Sequence, residues 1–442
     1  MCGIIISDLT IKNTAYKFVQ KRGPNGINKI TYNGINFIHF LLHLTGKKIL
    51  QPIISDNIVC IFNGEIYNYK EILPTAKSDV ECILHEYKQK GAECIRSFDG
   101  EFAIVIFDFN TDELIISSDI FHTKPLFYNI DENIVIASYE SACQDIKKGK
   151  YTSINPNEIL VFDLKTRTIK NKMTVYEFDL KQKKNHYNDY IVALEKAVLK
   201  RYPEYSIPLV TLSSGLDSGA IACCLNKYKK KAKYVSIPKN EHPHIITRRQ
   251  KILGSDHKCI NLSKNDKSFY LKYLQDNCED CYWDWRYNKK IRYRHHGPVR
   301  AFKYGSMLGK SKIITDTQKC HPDIQVLFSG IGADEIMAHN SYYSCGWGNV
   351  DKFPDDLSKV YPWANFYGGT MDNYLRGDEY IGGCFGYETR YPFCDKNLVQ
   401  EFLWLKPILK NNLNGSNYKP ALLNYLIKEK FPYHLRKLGF DV

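Results

Sequence analysis

The chain has 442 residues and a mass of 51.3 kDa, enough for about two or three domains, and its 44% hydrophobic and 13% aromatic content excludes a disordered, collagen-like or low-complexity protein. Lys plus Arg number 61 against 48 Asp plus Glu, a net charge of +13 that is thinly spread outside 227–233 and 289–294, so no nucleic-acid partner is expected. Fourteen cysteines are too few for a disulfide scaffold, no basic leader precedes Cys2, and apolar runs such as 102–107 are too short to cross a bilayer; free thiols, a cytoplasmic location and no membrane partner are the expectation.

The first third reads as β-rich. Gly3 to Ser7, Ile58 to Phe62, Phe102 to Asp108, Leu114 to Ser118 and Ile134 to Ala137 are short apolar or alternating runs bounded by Asn, Asp and Gly. Asp79 to Lys90 carries Cys82, Ile83 and Tyr87 at helical spacing after Ser78 as the N-cap. From Leu164 to Lys184 the chain turns polar and rich in Lys, Thr and Asn, which predicts a domain boundary between segments 2–175 and 187–442. Beyond it, Asp189 to Lys200 is helical, and Pro208 to Leu212 is a buried strand leading through Ser213-Ser214-Gly215-Leu216-Asp217-Ser218 into a helix from Gly219 to Tyr228. Ile324 to Phe328 repeats the pattern before Ser329-Gly330-Ile331-Gly332-Ala333-Asp334-Glu335. Strand, small-residue loop and helix twice over predict a parallel α/β sheet with its ligand beyond the strand ends. The stretch 240–319, rich in Tyr, Trp and His, is expected to be irregular.

Removal of Met1 would leave Cys2 with both a thiol and an α-amino group. That amine titrates near pH 8 and can act as base for its own thiol. A chance cysteine with a retained methionine is the competing reading. The context decides between them: Met1-Cys2-Gly3-Ile4, Arg22-Gly23-Pro24, Gln51-Pro52, Asn63-Gly64-Glu65-Ile66-Tyr67-Asn68, Ser78-Asp79-x-Glu81 and 119–128 come in order. This part resembles the glutaminase domain of class II glutamine amidotransferases, an α+β N-terminal-nucleophile hydrolase fold with αββα layers. The resemblance implies that Cys2 attacks the glutamine amide, that the Asn63 side chain and the Gly64 N–H hold the oxyanion, and that Glu65 and Asp79 hold the glutamine amino group. His43 stands where the family has an Arg for the glutamine carboxylate. An imidazole offers no bidentate fork, so free ammonia remains beside glutamine as the nitrogen source. The chain also has Ser118 before Asp119 where Arg is common, His122 in place of a usual Gly, and Asn25 where Asp is common.

Ser213 to Ser218 resembles the pyrophosphate loop of ATP pyrophosphatases, where small residues let backbone N–H groups close on phosphate. With Ser329 to Glu335, Gly386-x-Glu388-x-Arg390-x-Pro392-Phe393-x-Asp395 and Arg436-Lys437-x-x-Phe440, the second part resembles the synthetase domain of glutamine-hydrolysing asparagine synthetases. That implies an α/β parallel-sheet ATP pyrophosphatase domain. Ser213, Ser214, Gly215, Asp217, Ser218, Ser329, Gly330 and Gly332 would bind ATP and pyrophosphate. Asp217 and Asp334 would hold Mg²⁺, Lys437 would stabilise the departing pyrophosphate, and Asp334, Glu335 and Glu388 would lie near the acyl substrate. Ile331 replaces a common Glu, and the sequence ends at Val442, just past the Lys437 motif; a more open or altered acceptor pocket is the expectation.

Three features stand outside these motifs. Cys278 and Cys281 have zinc spacing with His295, His296 and Cys320 downstream, against a simple loop. Trp283, Trp285, Tyr282 and Tyr287 beside Arg286, Arg292 and Arg294 have the composition of a base-stacking surface, against a packed insertion. Lys227 to Lys233 reads as a solvated helix end. The expected activity is ATP-dependent conversion of L-aspartate to L-asparagine through a β-aspartyl-AMP, with ammonia from L-glutamine at Cys2 kept unprotonated in an enclosed apolar passage. A related amidating or cyclising ligase, or a non-catalytic paralogue, is the alternative. The choice between monomer and homodimer is open.

Overall fold

The structure is a computed structural model that describes residues 2–283, 299–303, 305–337, 352–411 and 419–434. It divides into two compact units. The first is Met1–Glu177 together with Leu274–Asp280 and Glu379–Glu388; the second is Phe178–Tyr273, Cys281–Asp378 and Thr389–Val442. Thus two short segments from the later chain group with the first unit, where the sequence suggested two continuous stretches.

In the first unit, two six-stranded sheets are built from alternating and continuous apolar runs. One has the spatial order Thr152–Ser153, Phe127–Ile130, Ile134–Ala137, Gly3–Ser7, Ile35–Leu41, Gly26–Tyr32. The other runs Ile169–Thr174, Glu158–Asp163, Glu113–Ser118, Gly100–Asp108, Ile58–Ile66, Ile53–Ser55. Their facing residues, among them Ile4, Ile6, Phe37, Val59, Ile61, Val105, Phe107 and Ile116, form one buried cluster between the sheets. Helix Asp79–Lys90 packs on strand Ile58–Ile66, and helix Glu140–Ile146 on Ile134–Ala137, which completes the αββα layering. Strands so covered are buried on both faces, hence runs such as Ile58 to Phe62 with no polar alternation.

The region 164–184, where the sequence turns polar, contains a strand. Ile169–Thr174 pairs with Glu158–Asp163 at the sheet edge and is almost wholly exposed. Its lysines are those of an edge strand guarded against further pairing. Ser78 sits at the N-cap position, but its hydroxyl donates to Asp79 Oδ1, and that carboxylate oxygen accepts the Val80 N–H.

The second unit is organised on a five-stranded sheet in the order His257–Cys259, Lys233–Ser236, Pro208–Thr211, Val326–Phe328, Glu388–Arg390. Pro208–Thr211 is parallel to both of its neighbours. The chain leaves this central strand toward one edge and returns on its other side. The two small-residue loops therefore emerge side by side at a topological switch point, the place where α/β sheets bind ligands. The stretch expected to be irregular contains helices Pro243–Leu253, Lys264–Asn277 and Gly305–Cys320. No helix among the described residues is long and apolar enough to cross a membrane.

Candidate active site

Cys2 opens into strand Gly3–Ser7 and is buried, its Sγ 3.9 Å from the Leu42 carbonyl oxygen. Gly3 has no alternative, because a Cβ there would lie 2.6 Å from the Val19 carbonyl oxygen. Burial pushes the Cys2 thiol up to about 11, opposed by the positive chain terminus. Such a thiol is protonated at neutral pH and needs a base to become a nucleophile.

Strand Gly3–Ser7 packs against strand Ile58–Ile66 of the other sheet, which carries Asn63-Gly64 mid-strand and not in a hairpin turn. The Asn63 side chain is wholly buried, and neither its Nδ2 nor its Oδ1 has a hydrogen-bond partner. An unsatisfied buried amide costs roughly 1–3 kcal/mol, so both of its polar atoms are open to a hydrogen-bonding ligand. Gly64 has φ +134°, and a Cβ there would sit 1.9 Å from the Glu101 carbonyl oxygen. The same edge of this strand is tailored on both sides of Gly64: the Phe62 N–H donates to Gln51 Oε1 at 2.7 Å and the Ile66 N–H to Asp79 Oδ2 at 3.2 Å. Strand alternation turns the Gly64 N–H to that edge too. Its register partner Phe102 engages Asp119 with both its N–H and its carbonyl. Gln51-Pro52 and Asp119, singled out as motifs, thus act as fixed partners of the strand that bears Asn63-Gly64 and of its neighbour.

Asp79 is buried, and burial raises its carboxyl to about 6 against the pull of the Ile66, Ser78 and Val80 donors; its charge is felt at Cys2. Glu65 is also buried. The His43 ring contacts its own loop, with Nε2 2.8 Å from the Gly46 carbonyl oxygen, while the His43 main-chain N–H donates to Asn25 Oδ1 at 2.8 Å. Asn25 serves that acceptor role as an Asp would. His122, in the place of a usual Gly, adopts φ +55°, which accounts for glycine at such a position.

In the second unit the first loop is closed by its own hydroxyls. The Ser213 N–H donates to Ser218 Oγ at 3.0 Å and the Gly215 N–H to Ser213 Oγ at 3.1 Å, and helix Leu216–Lys227 starts at Gly215. Ser214 is turned away: its N–H donates to Glu241 Oε2 at 2.6 Å and its hydroxyl bonds the same oxygen. Arg249, fully buried, donates to the Ser213 and Gly215 carbonyls and to the Pro432 carbonyl. Gly219 admits it, since a Cβ there would lie 2.3 Å from the guanidinium. Burial lowers Arg249 to about 10, opposed by Glu241.

The neighbouring loop comes close. A Cβ on Gly330 would be 3.0 Å from that of Asp217, and Gly332, at φ +95°, lies against Cys394 and Phe393. Ser329 Oγ donates to Asp378 Oδ2 at 2.7 Å, and Glu335 accepts the Gly332 N–H at 3.0 Å. Glu335 therefore holds its own loop. Asp217 and Asp334 converge on one ammonium, Lys419 Nζ, the Asp334 contact being 2.9 Å. Two hard carboxylate oxygens meeting at one point charge are a donor set that fits Mg²⁺ with phosphate. Glu388, expected near the acyl substrate, groups with the first unit, and its charge acts on Cys2, Asp79 and Lys124. Lys437, Arg436 and Phe440 lie outside the described residues, as do Trp285, Arg286, Tyr287, Arg292, Arg294, His295 and His296. Cys278 Sγ donates to the Tyr380 carbonyl at 3.2 Å. Lys227 is ion-paired to Glu195 and Glu429 at 2.6 and 2.8 Å, and so is more than a solvated helix end.

Comparison with known proteins bears on both units. Residues 1–202 match the glutamine amidotransferase domain family. A relative from Oryza sativa, "Asparagine synthetase [glutamine-hydrolyzing] 2", is 23% identical over 98% of this chain and 74% of its own length. A second, from Methanocaldococcus jannaschii, "Putative asparagine synthetase [glutamine-hydrolyzing] 1", is 25% identical over 90% and 73%. A third, from Arabidopsis thaliana, "Asparagine synthetase [glutamine-hydrolyzing] 2", is 28% identical over 98% and 76%. The chain resembles the glutamine-hydrolysing asparagine synthetases along nearly its whole length. Glu241, Arg249 and Lys419, all missed in the sequence, join the synthetase-like loops. Each acts on the loops from a distance in the chain, and nothing beside it in the sequence marks it.

Proposed function

We propose that the chain is a glutamine-dependent amidating ligase that converts L-aspartate to L-asparagine with ATP. The observation that carries this is the unpartnered, buried Asn63 amide beside Gly64, on the strand packed against the one that Cys2 opens. After loss of Met1, the Cys2 amine takes the thiol proton and the sulfur attacks the glutamine side-chain carbon. Asn63 Nδ2 and the Gly64 N–H donate hydrogen bonds to the oxygen on which negative charge develops, the kind of preorganised stabilisation worth about 10²–10³ in rate per donor. The amide nitrogen leaves as ammonia, and water releases glutamate from the thioester. Asp79 and Glu65 hold the glutamine amino group.

In the second unit the Ser213–Ser218 loop and the helix it starts would bind the ATP phosphates. Asp217 and Asp334 would hold Mg²⁺, which supplies charge neutralisation for phosphate. Lys419 then moves from the two carboxylates to the phosphate oxygens. Attack of the aspartate β-carboxylate on the α-phosphorus releases pyrophosphate, and ammonia displaces AMP from the acyl carbon. A cytoplasmic setting with free thiols suits a Cys nucleophile: the 13 described cysteines are all free. The test is product analysis with ATP, Mg²⁺, aspartate and glutamine. Asparagine, AMP and pyrophosphate in equal amounts are expected. Pyrophosphate release that ignores aspartate but responds to another carboxylate would assign a different acyl substrate, for which Ile331 would be the first residue to examine.

A further inference from the structure

Arg22-Gly23-Pro24 is a motif with no part in the chemistry above, yet it is seated in the most deeply buried charge network of the first unit. Arg22 is wholly buried. Its Nε donates to the Cys2 main-chain carbonyl at 2.9 Å, Nη1 to Tyr139 Oη at 2.8 Å and Nη2 to Glu379 Oε2 at 3.1 Å. The other oxygen of Glu379 accepts from Lys124 Nζ at 2.9 Å, and Lys124 also pairs with Glu101 at 3.5 Å. None of these four charged side chains is more than 2% exposed. Burying so many charges is costly unless each is held by its partners.

Glu379 arrives on helix Thr370–Cys384, some two hundred residues after the two sheets are complete. The packing around it is close. A Cβ on Gly383 would lie 2.2 Å from Tyr139 Oη and 3.0 Å from Arg22 Cγ, and one on Gly386, at φ +71°, 3.3 Å from Pro24 Cγ. The Tyr380 ring meets that of Tyr139 edge-on at 4.9 Å. Charge pairing, ring contact and glycine-permitted approach all bring this late segment to the residue that holds the Cys2 carbonyl.

We propose that Glu379 is a positioning residue for the nucleophile, acting through Arg22 on the Cys2 carbonyl, so that residues 379–388 are part of the glutaminase machinery. This deepens the reading of Cys2 as the glutamine nucleophile and rests on it. Glu379 orients the guanidinium; the guanidinium fixes the main chain of Cys2; and that fixes where its amine and thiol stand relative to Asn63. Displacement of a reacting group by about 1 Å costs on the order of 10²-fold.

The test is steady-state glutamine hydrolysis by the full chain, with unfolding curves alongside. E379Q keeps the shape and removes the charge; kcat should fall about 10- to 100-fold with KM within about threefold. K124M removes the other partner of Glu379 and leaves the Arg22 pair whole. It should be destabilised by at least as much while its kcat stays within about threefold of the parent. Should E379Q not accumulate folded, E379D, which keeps the charge and shortens the reach, carries the same test and should also lose kcat. A folded E379Q or E379D with kcat within twofold of the parent overturns the proposal. So does K124M losing as much kcat as E379Q, since Glu379 would then be structural only. A parent chain with no glutaminase activity would instead refute the function on which the proposal rests.

Discussion

Replacing Gly64 by alanine places a methyl group 1.9 Å from the Glu101 carbonyl oxygen, 2.7 Å from Phe102 Cα and 2.9 Å from the Glu101 carbonyl carbon. All three are backbone atoms of the paired strand, and none can turn aside as a side chain would. Contacts under 3.0 Å are essentially never tolerated, so the two strands must separate by about 1 Å at this rung. The backbone adds its own resistance, because φ +134° is strained for any residue with a Cβ. Overpacking of this kind costs about 1–3 kcal/mol and a disfavoured backbone conformation about 1–2 more, so a loss of roughly 2–5 kcal/mol is expected in denaturant unfolding. The catalytic loss should be larger than the stability loss alone suggests. The strand that moves carries both proposed oxyanion donors, and misplacing such a donor costs on the order of 10²–10³ in kcat. Glutamine hydrolysis and ammonia-dependent synthesis are measured on the same preparation. Glutaminase should fall by that factor and ammonia-dependent turnover should hold. A folded G64A with glutaminase within about tenfold of the parent would refute the assignment of Gly64 to the oxyanion site.

Three further outcomes are expected. Asn63→Ala should lower glutaminase kcat about 10²–10³-fold while leaving stability unchanged or raising it by about 1 kcal/mol, because an unsatisfied buried amide is removed with the donor; unfolding curves and glutamine kinetics check both. Lys419→Met should destabilise the second unit by removing the ammonium that Asp217 and Asp334 share, and added Mg²⁺ should restore more stability to this variant than to the parent in thermal unfolding. For Asp79, burial raises the folded value from 3.8 to about 6, so the folded state binds its proton more tightly than the unfolded chain. That contribution to stability is complete below pH about 4 and is lost as pH rises through about 6, on the order of 3 kcal/mol. Asp119, raised to about 6 chiefly by burial, adds a loss over the same window. Glu279, raised to about 7 by burial, adds to it as well, so Asp79→Asn should reduce the fall in stability between pH 4 and 7 without abolishing it, while raising KM for glutamine.

What could be read from the sequence was local. Cys2, Asn63-Gly64 and the two small-residue loops have close chain neighbours whose types single them out, and the apolar runs of the doubly covered strands stand out without alternation. What could not be read depends on partners far away in the chain. Arg249 grips the Ser213 and Gly215 carbonyls from more than thirty residues on, Lys419 reaches Asp217 across about two hundred, and Glu379 reaches Arg22 across more than three hundred. Single buried charges have no period and leave no mark on a hydrophobic pattern. Helix Gly305–Cys320 escaped for another reason: its buried face mixes Met307, Leu308, Ile313 and Ile314 with Ser311 and Thr317, whose hydroxyls donate to the Met307 and Ile313 carbonyls of their own helix. Polar residues satisfied in this way hide a helical stripe. The lysine-rich edge strand Ile169–Thr174 shows no apolar pattern because solvent, not a core, determines its composition.

The central claim is a division of labour: the Cys2 sulfur releases ammonia from glutamine, and a separate ATP-using site consumes it. Cys2→Ala tests this most directly, with asparagine formation followed once on glutamine and once on ammonium salt. Loss of the glutamine-driven reaction with the ammonia-driven reaction preserved is the predicted result. Equal loss of both in a folded protein, or survival of glutamine-driven synthesis, would contradict it.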